Sequence, residues 1–265
     1  MADPYRTATA IVTGAASGIG RSLCRLLLAR GSVVYGVDRD ERGLHDVSPT
    51  ETGSRFLPAA VDVTDRESLA ALVNHVVAQQ GCLDFMFNNA GIVAGGDLVD
   101  MTPTVWNRIV DVNFWGVVHG TQLAYGQMRR QGSGHIVNTA SSAGVMPVAR
   151  SAAYSATKHA VVGLTTSLRA EARAHGIHAS VVVPGLVDTA IFGNAHNLRD
   201  YDYQAAVDAV PLAKVTPERA AVEILRGVAK NRQFIVFPTY NRILVGLNRI
   251  APSIMSPIIN YERRT

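Results

Sequence analysis

"TATAIVTGAASGIGRSLCRLLLARGSVVYGVD", Thr7 to Asp38, is the stretch that decides the fold. It begins with "TATAIVTG", a short run of apolar and β-branched residues that reads as a buried strand. "RSLCRLLLARG", Arg21 to Gly31, places its leucines at helical spacing and ends on a glycine suited to a helix stop. "VVYGVD", Val33 to Asp38, is a second apolar strand. Neither strand alternates apolar with polar residues, so both faces must be covered, as in a parallel sheet.

The same alternation continues outward. "RFLPAAVD" (Arg55–Asp62) predicts a third strand, and "DRESLAALVNHVVAQQG" predicts a helix between a capping Asp65 and a closing Gly81. "LDFMFNNAG" (Leu83–Gly91) is a fourth strand, and a helical stretch from about Pro103 to Gln131 precedes "GHIVNTAS", a fifth. "AAYSATKHAVVGLTTSLRAEARAHG" (Ala152–Gly176) is a long helix, "HASVVVPG" a sixth strand and "RQFIVFP" a seventh. This predicts one α/β domain over 1–265: a Rossmann-type, doubly wound, mainly parallel sheet of seven strands with helices on both faces. Segment 190–215 is expected to cover the ligand edge, and 239–265 to form a C-terminal helical extension.

Composition narrows the class. With 48% hydrophobic and 17% charged residues, the 265-residue chain can bury a sizeable core. The net charge of +4 is spread over scattered arginines, which suits an anionic small molecule better than nucleic acid. Cys24 and Cys82 have neither CxxC nor Cys/His spacing, and His119, His135 and His159 show no metal-ligand pattern, so no disulfide and no metal are expected. The N-terminus lacks signal-peptide character, and no apolar run reaches the ~18 residues of a membrane span. A soluble, cytoplasmic protein is the expectation.

"TGAASGIG" (Thr13–Gly20) lies where the first strand turns into the first helix. Gly14, Ser17, Gly18, Ile19 and Gly20 thus offer close backbone approach and a helix N-terminus to a pyrophosphate. The spacing is GxxxGxG, and a glycine turn without ligand would look alike. Asp38, eighteen residues after Gly20, strengthens the dinucleotide reading, because a carboxylate there can accept hydrogen bonds from adenosine ribose hydroxyls. It also repels a 2′-phosphate, which favours NAD over NADP, whereas the adjacent Arg39 could pair with that phosphate.

Four motifs in register then carry a resemblance: "TGAASGIG", "NNAG" (88–91), Ser141 and "YSATK" (154–158). Together they resemble the classical short-chain dehydrogenase/reductase family over about residues 6–237. The resemblance implies a catalytic set of Asn113, Ser141, Tyr154 and Lys158. Ser141, preferred to its neighbour Ser142, would hydrogen-bond the substrate oxygen. Asn113 would hold a water linking Lys158 to solvent, and Lys158 would also bind the nicotinamide ribose. Asp62 and Val63, with Asn89, Ala90 and Gly91, would line the adenosine half. Pro184, Gly185, Val187 and Thr189 would hold the nicotinamide carboxamide.

The residues support part of this by themselves. Tyr154 and Lys158 are four apart on one helix and share a face. The chain contains three lysines against 22 arginines, so a compact ammonium at this position is a marked choice. It is expected to lower the tyrosine pKa toward neutrality, with help from the oxidised nicotinamide.

The activity implied is NAD-dependent interconversion of a secondary alcohol and a ketone. Alternatives are an NADPH-dependent carbonyl reductase, a non-catalytic NAD-binding sensor or structural subunit, and an epimerase or dehydratase on a nucleotide sugar. Val93, Ala94, Val145, Met146, Val148, Ile191, Phe192, Tyr201 and Tyr203 could line a mostly apolar pocket, which suggests a lipid- or steroid-like substrate; Arg150 and Arg199 are unplaced candidates. A homodimer or homotetramer is implied by the resemblance. In the tail, Ile243, Leu247, Ile250 and Ile254 form a helical stripe widened by Leu244, Ala251 and Met255, with Pro252 and Pro257 expected to split it into two short helices. That stripe could cover the cleft, pack on a partner subunit, or lie on a membrane with Arg242 and Arg249 toward anionic lipid.

Overall fold

The structure, a computed structural model, describes residues 3–47 and 55–253. Strand β1 (Thr9–Thr13) is buried along its whole length and is the third strand of a seven-stranded sheet. On one side it pairs with β2 (Val33–Asp38), which pairs with β3 (Phe56–Ala60). On the other side come β4 (Phe85–Asn88), β6 (Gly134–Thr139), β7 (Ile177–Pro184) and β9 (Phe234–Phe237). All six pairings are parallel, so every strand ends at the same edge. The chain order reverses about β1, which makes the crevice beyond its carboxyl end the ligand position of such a sheet.

Two apolar layers cover the faces. Helices α1 (Gly18–Ala29) and α8 (Pro217–Ala229) bury Leu23, Leu27, Ile224 and Leu225 on one face. Helices α3 (Arg66–Gln80), α5 (Gly116–Gln131) and α6 (Ala152–Ala172) bury Val73, Val76, Met128 and Leu168 on the other. Asp65 caps α3 by accepting from the amides of Glu67 and Ser68, and Gly81 ends it in the left-handed conformation at φ 80°. A short α2 (Glu41–His45) follows β2.

The stretch expected to be helical from Pro103 to Gln131 is helical throughout, with a change of winding in the middle. It comprises α4 (Pro103–Val110), a π-helical turn over Asp111–Trp115, and α5. Beyond β7 the chain leaves the sheet and returns through a parallel bridge between Val187 and Val215. Within that neck, β8 (His196–Asn197) pairs with β5 (Ala94–Gly95), and α7 (Tyr203–Asp208) lies over the sheet edge.

Helix α9 (Thr239–Ile250) stops before Pro252; Ile254, Met255 and Pro257 lie outside the described residues. Its stripe divides: Leu244 lines the cleft, and three other apolar residues of the stripe point away from the body. Ile243, Leu247 and Ile250 face solvent at 58%, 47% and 84% exposure, and Asn241 is the buried residue. The physical reason is where α9 sits. It packs across strand ends, whose carbonyls require donors, so its inner face is chosen for hydrogen bonding: Asn241 Nδ2 donates to Val183 O and Phe237 O. Among the described residues no helix is long and apolar enough to cross a membrane.

Candidate active site

A cleft of about 1840 Å³ runs along the carboxyl edge of the sheet. Its floor at one end is the turn after β1. Gly14 (φ 68°) and Gly18 (φ 50°) adopt the left-handed conformation that side chains disfavour. Gly14, Ser17, Gly18 and Ile19 line the cleft. Gly20 lies behind them: a Cβ there would stand 2.0 Å from Gly14 O, so its role is close packing of α1 on the turn. Ser17 begins α1 in an extended conformation without capping it through its side chain, which leaves the first-turn amides without a side-chain acceptor.

Asp38 ends β2 and braces this turn. Its Oδ2 accepts from Ala16 N at 3.0 Å and its Oδ1 from Asp40 N at 3.1 Å. Asp38, Arg39, Asp62 and Val63 all line the same end of the cleft. Asp62 accepts from the amide and hydroxyl of Thr64, while Asp65 performs the helix capping. Next to them, Thr13 Oγ1 accepts from the amides of Asn89 and Ala90 at 2.9 and 3.0 Å. Asn89, Ala90 and Gly91 face the cleft. Asn88 points into the core, where its amide donates to Asn138 Oδ1 at 2.8 Å and ties β4 to β6.

The four residues of the expected catalytic set converge from three elements. Ser141 follows β6 in extended conformation and hydrogen-bonds Tyr154. Lys158 Nζ lies 5.6 Å from the Tyr154 ring centre and donates to Thr139 O at 2.9 Å. Ser141, Ser142, Tyr154 and Lys158 all line the cleft. Asn113 does not. It sits fully buried in the π-helical turn, where its Oδ1 accepts from Ile92 N and its Nδ2 donates to Ile92 O, both at 2.8 Å. It therefore braces the Gly91–Ile92 backbone from behind, in a gap where a Cβ on Gly91 would meet Asn113 Oδ1 at 3.3 Å and Lys158 Nζ at 3.4 Å.

The electrostatics depart from the expectation that Lys158 depresses Tyr154. Burial raises the Tyr154 phenol above its ordinary value, and only the Ser141 hydrogen bond pulls it down. Burial also depresses the Lys158 ammonium to about 8. Both shifts have one cause: a low-dielectric site disfavours the charged form of each group. Within the chain alone, the tyrosine is a protonated acid.

Pro184, Gly185, Val187 and Thr189, from the loop after β7, also line the cleft, with Thr189 beside the glycine turn, where a Cβ on Gly18 would meet its Cγ2 at 3.0 Å. Above them Val93, Ala94, Met146, Val148, Ile191, Phe192, Tyr201 and Tyr203 form a largely apolar wall, to which Val207, Val210 and Leu212 add. One expected lining residue lies elsewhere, and one unplaced candidate finds its partner. Val145 is packed with Phe114 and Val161 beneath the wall, and Arg199 forms an ion pair with Asp100 at 2.5 Å. Arg150 lines the cleft with its Nε 3.3 Å from Asp97 and its guanidinium over Tyr201. Sequence reasoning missed Ser151, whose hydroxyl hydrogen-bonds that of Tyr203 at 3.0 Å, and it missed Tyr240 and Asn241 of α9 as lining residues, whereas Leu244 belongs to the tail stripe for which covering the cleft was one expected fate. Nothing in local periodicity marks a tail residue as part of a distant cleft.

The comparisons with known proteins agree with this geometry. The family model for short chain dehydrogenase matches residues 8–199. The Mycobacterium tuberculosis protein named "Putative oxidoreductase SadH" is 35% identical over 262 residues, covering 96% of this chain and 92% of that one. The cis-4-hydroxycyclohexanecarboxylate dehydrogenase of Sinomonas cyclohexanicum is 38% identical over 71% of this chain and 77% of its own. A short-chain dehydrogenase/reductase from Burkholderia phymatum, solved with NAD, superposes with a TM-score of 0.87 at 28% identity and covers 96% of both chains. A short-chain dehydrogenase from Sphingobium yanoikuyae, solved with NADPH, shares the fold at a TM-score of 0.78 and 22% identity, over 97% of both chains. The chain belongs to the short-chain dehydrogenase/reductase family, whose Rossmann-type fold binds NAD(P), and it is an oxidoreductase acting on CH–OH groups.

Proposed function

We propose that the protein interconverts a secondary alcohol and a ketone with NAD, on an apolar substrate of lipid- or steroid-like character. The observation that carries this reading is the grouping of Ser141, Tyr154 and Lys158 in the same cleft as the glycine turn and Asp38. A dinucleotide fits what the chain offers: a left-handed glycine cradle, uncapped amides of α1 for its phosphates, and a carboxylate at the end of β2. Gly14, Ser17, Gly18, Ile19, Asp38, Asp62, Val63, Asn89, Ala90 and Gly91 would hold its adenosine half and phosphates. Pro184, Gly185, Val187 and Thr189 would hold the nicotinamide.

When bound, the cofactor supplies a nicotinamide C4 that exchanges hydride with the carbinol carbon. Ser141 donates to the substrate oxygen and orients it toward Tyr154. Tyr154 gives its phenolic proton to the carbonyl oxygen during reduction and, as the phenolate, takes the substrate's hydroxyl proton during oxidation. Lys158 stabilises the phenolate as it forms, because its charge, desolvated and close, acts most strongly when the tyrosine becomes negative. Asn113 keeps Gly91 and Ile92 in place beside that ammonium. The apolar wall excludes water and favours a hydrocarbon substrate. The protein works as a homodimer or homotetramer in the cytoplasm; Trp115, 47% exposed on the π-helical turn, is available for a helix-to-helix contact.

The same-fold alternative, an NADPH-dependent carbonyl reductase, draws on Arg39, which lines the cleft beside Asp38. One experiment decides between them: initial rates on a panel of secondary alcohols and ketones with NAD(H) and NADP(H). Higher kcat/KM with NAD supports the proposal. Higher kcat/KM with NADP establishes the alternative. Absence of turnover across the panel despite tight NAD binding overturns both.

A further inference from the structure

Helix α9 touches both walls of the cleft. At its first turn, Tyr240 Oη accepts from Leu186 N at 3.1 Å, within the loop that follows β7. At its last turn, Asn248 Nδ2 donates to Val145 O at 2.9 Å, four residues after Ser141. Between these points, Leu244 lines the cleft. The fit at the first turn is close: a Cβ on Gly185 would stand 3.1 Å from Tyr240 Oη and 3.2 Å from both Asn241 Cβ and Pro238 Cδ. Gly185 N donates to Phe237 O at 2.8 Å, and Leu186 O accepts from Val215 N at 2.9 Å. The Tyr240 hydroxyl completes this set, since it is the acceptor that satisfies the Leu186 amide.

We propose that Tyr240 is a positioning residue for the nicotinamide half of the dinucleotide, acting through the Leu186 amide, with α9 as the brace between the loop after β7 and the loop after Ser141. This rests on the oxidoreductase reading of the cleft. Without the hydroxyl, the Leu186 N–H loses its acceptor in a half-buried position, and the Pro184–Val187 backbone moves to find another. The adenosine half is assigned to residues that follow β1, β2, β3 and β4, none of which is hydrogen-bonded to Tyr240.

That separation supplies the test. NAD and ADP-ribose, which lacks the nicotinamide, are titrated calorimetrically into the wild type and Tyr240→Phe, and thermal melting is recorded for both proteins. The expected result is NAD affinity weakened about 5–10-fold, the size of one lost buried hydrogen bond, with ADP-ribose affinity within about 2-fold of wild type. Equal weakening of both ligands would identify Tyr240 as a general fold residue and overturn the proposal. Unchanged NAD affinity would overturn it as well. A wild type that binds ADP-ribose and NAD while the variant behaves identically removes only this inference. A wild type that binds neither removes the oxidoreductase reading and this inference with it.

Discussion

Tyr154 shows what a single residue does here and what it cannot do alone. Burial holds its phenol protonated, and the neighbouring Lys158 points its ammonium at Thr139 O. Removing only the hydroxyl removes the group that exchanges a proton with the substrate oxygen while leaving the cleft filled. Tyr154→Phe is expected to bind NAD as the wild type does and to lose turnover by ~10²-fold or more, measured by calorimetry and steady-state rates. Turnover within a few-fold of wild type would take Tyr154 out of the mechanism. Asp38 has two duties at this scale. It braces the glycine turn through Ala16 N, and it presents a carboxylate to the cleft. Asp38→Ala should narrow the kcat/KM gap between NAD and NADP, and it should also lower affinity for both, because the turn loses its brace. A gap that stays as wide would assign cofactor choice elsewhere.

At the scale of elements, β6 and β7 hold a buried imidazole far from the cleft. His135 Nε2 meets Ser180 Oγ at 2.8 Å, and Ser180 donates its own hydrogen to Arg232 O, so the histidine must be the donor in that contact. Its neighbours are the rings of His178 and Phe85 and the Arg169 guanidinium. Burial first, then His178 and the Arg169 guanidinium, depress His135 from 6.5 to about 3. The unfolded chain takes up a proton below 6.5 that the folded chain refuses until about 3, so this stability is complete above 6.5 and is lost as pH falls. The slope reaches about 1.4 kcal/mol per pH unit from this residue. His135→Gln keeps a donor for Ser180 and removes the titration. Urea unfolding between pH 4 and 7 should show a shallower pH dependence in the variant. Parallel curves would mean that His135 does not set the acid limit.

The whole molecule depends on α9 in a way that its apolar stripe hid. The helix fastens to the body through Tyr240, Asn241, Arg242 and Asn248, and it turns Ile243, Leu247 and Ile250 outward. Truncation after Pro238 should raise the substrate KM and weaken NAD binding several-fold, because Val183 O, Leu186 N and Val145 O lose partners at the cleft wall. Kinetics on the truncated chain, with light scattering for assembly and sedimentation with anionic vesicles, separates the fates of the tail. Unchanged KM, size and solubility with lost vesicle binding would reject the packing role and favour the membrane one.

Local order in this chain was legible because parallel strands and their helices write themselves into short apolar runs and glycine stops. The seven strands, the turn at Gly14–Gly20 and the shared face of Tyr154 and Lys158 all depend on neighbours within a few residues. Tertiary structure decided whatever depends on partners distant in sequence. Asn113 became a brace because the π-helical turn aims it at Ile92, a contact no periodicity encodes. The pKa directions of Tyr154 and Lys158 followed from desolvation, which exists only once the layers close. The inner face of α9 was set by backbone groups at the ends of β7 and β9 that accept from or donate to its side chains, so only part of the apolar stripe that its own sequence displays, Leu244, faces the cleft.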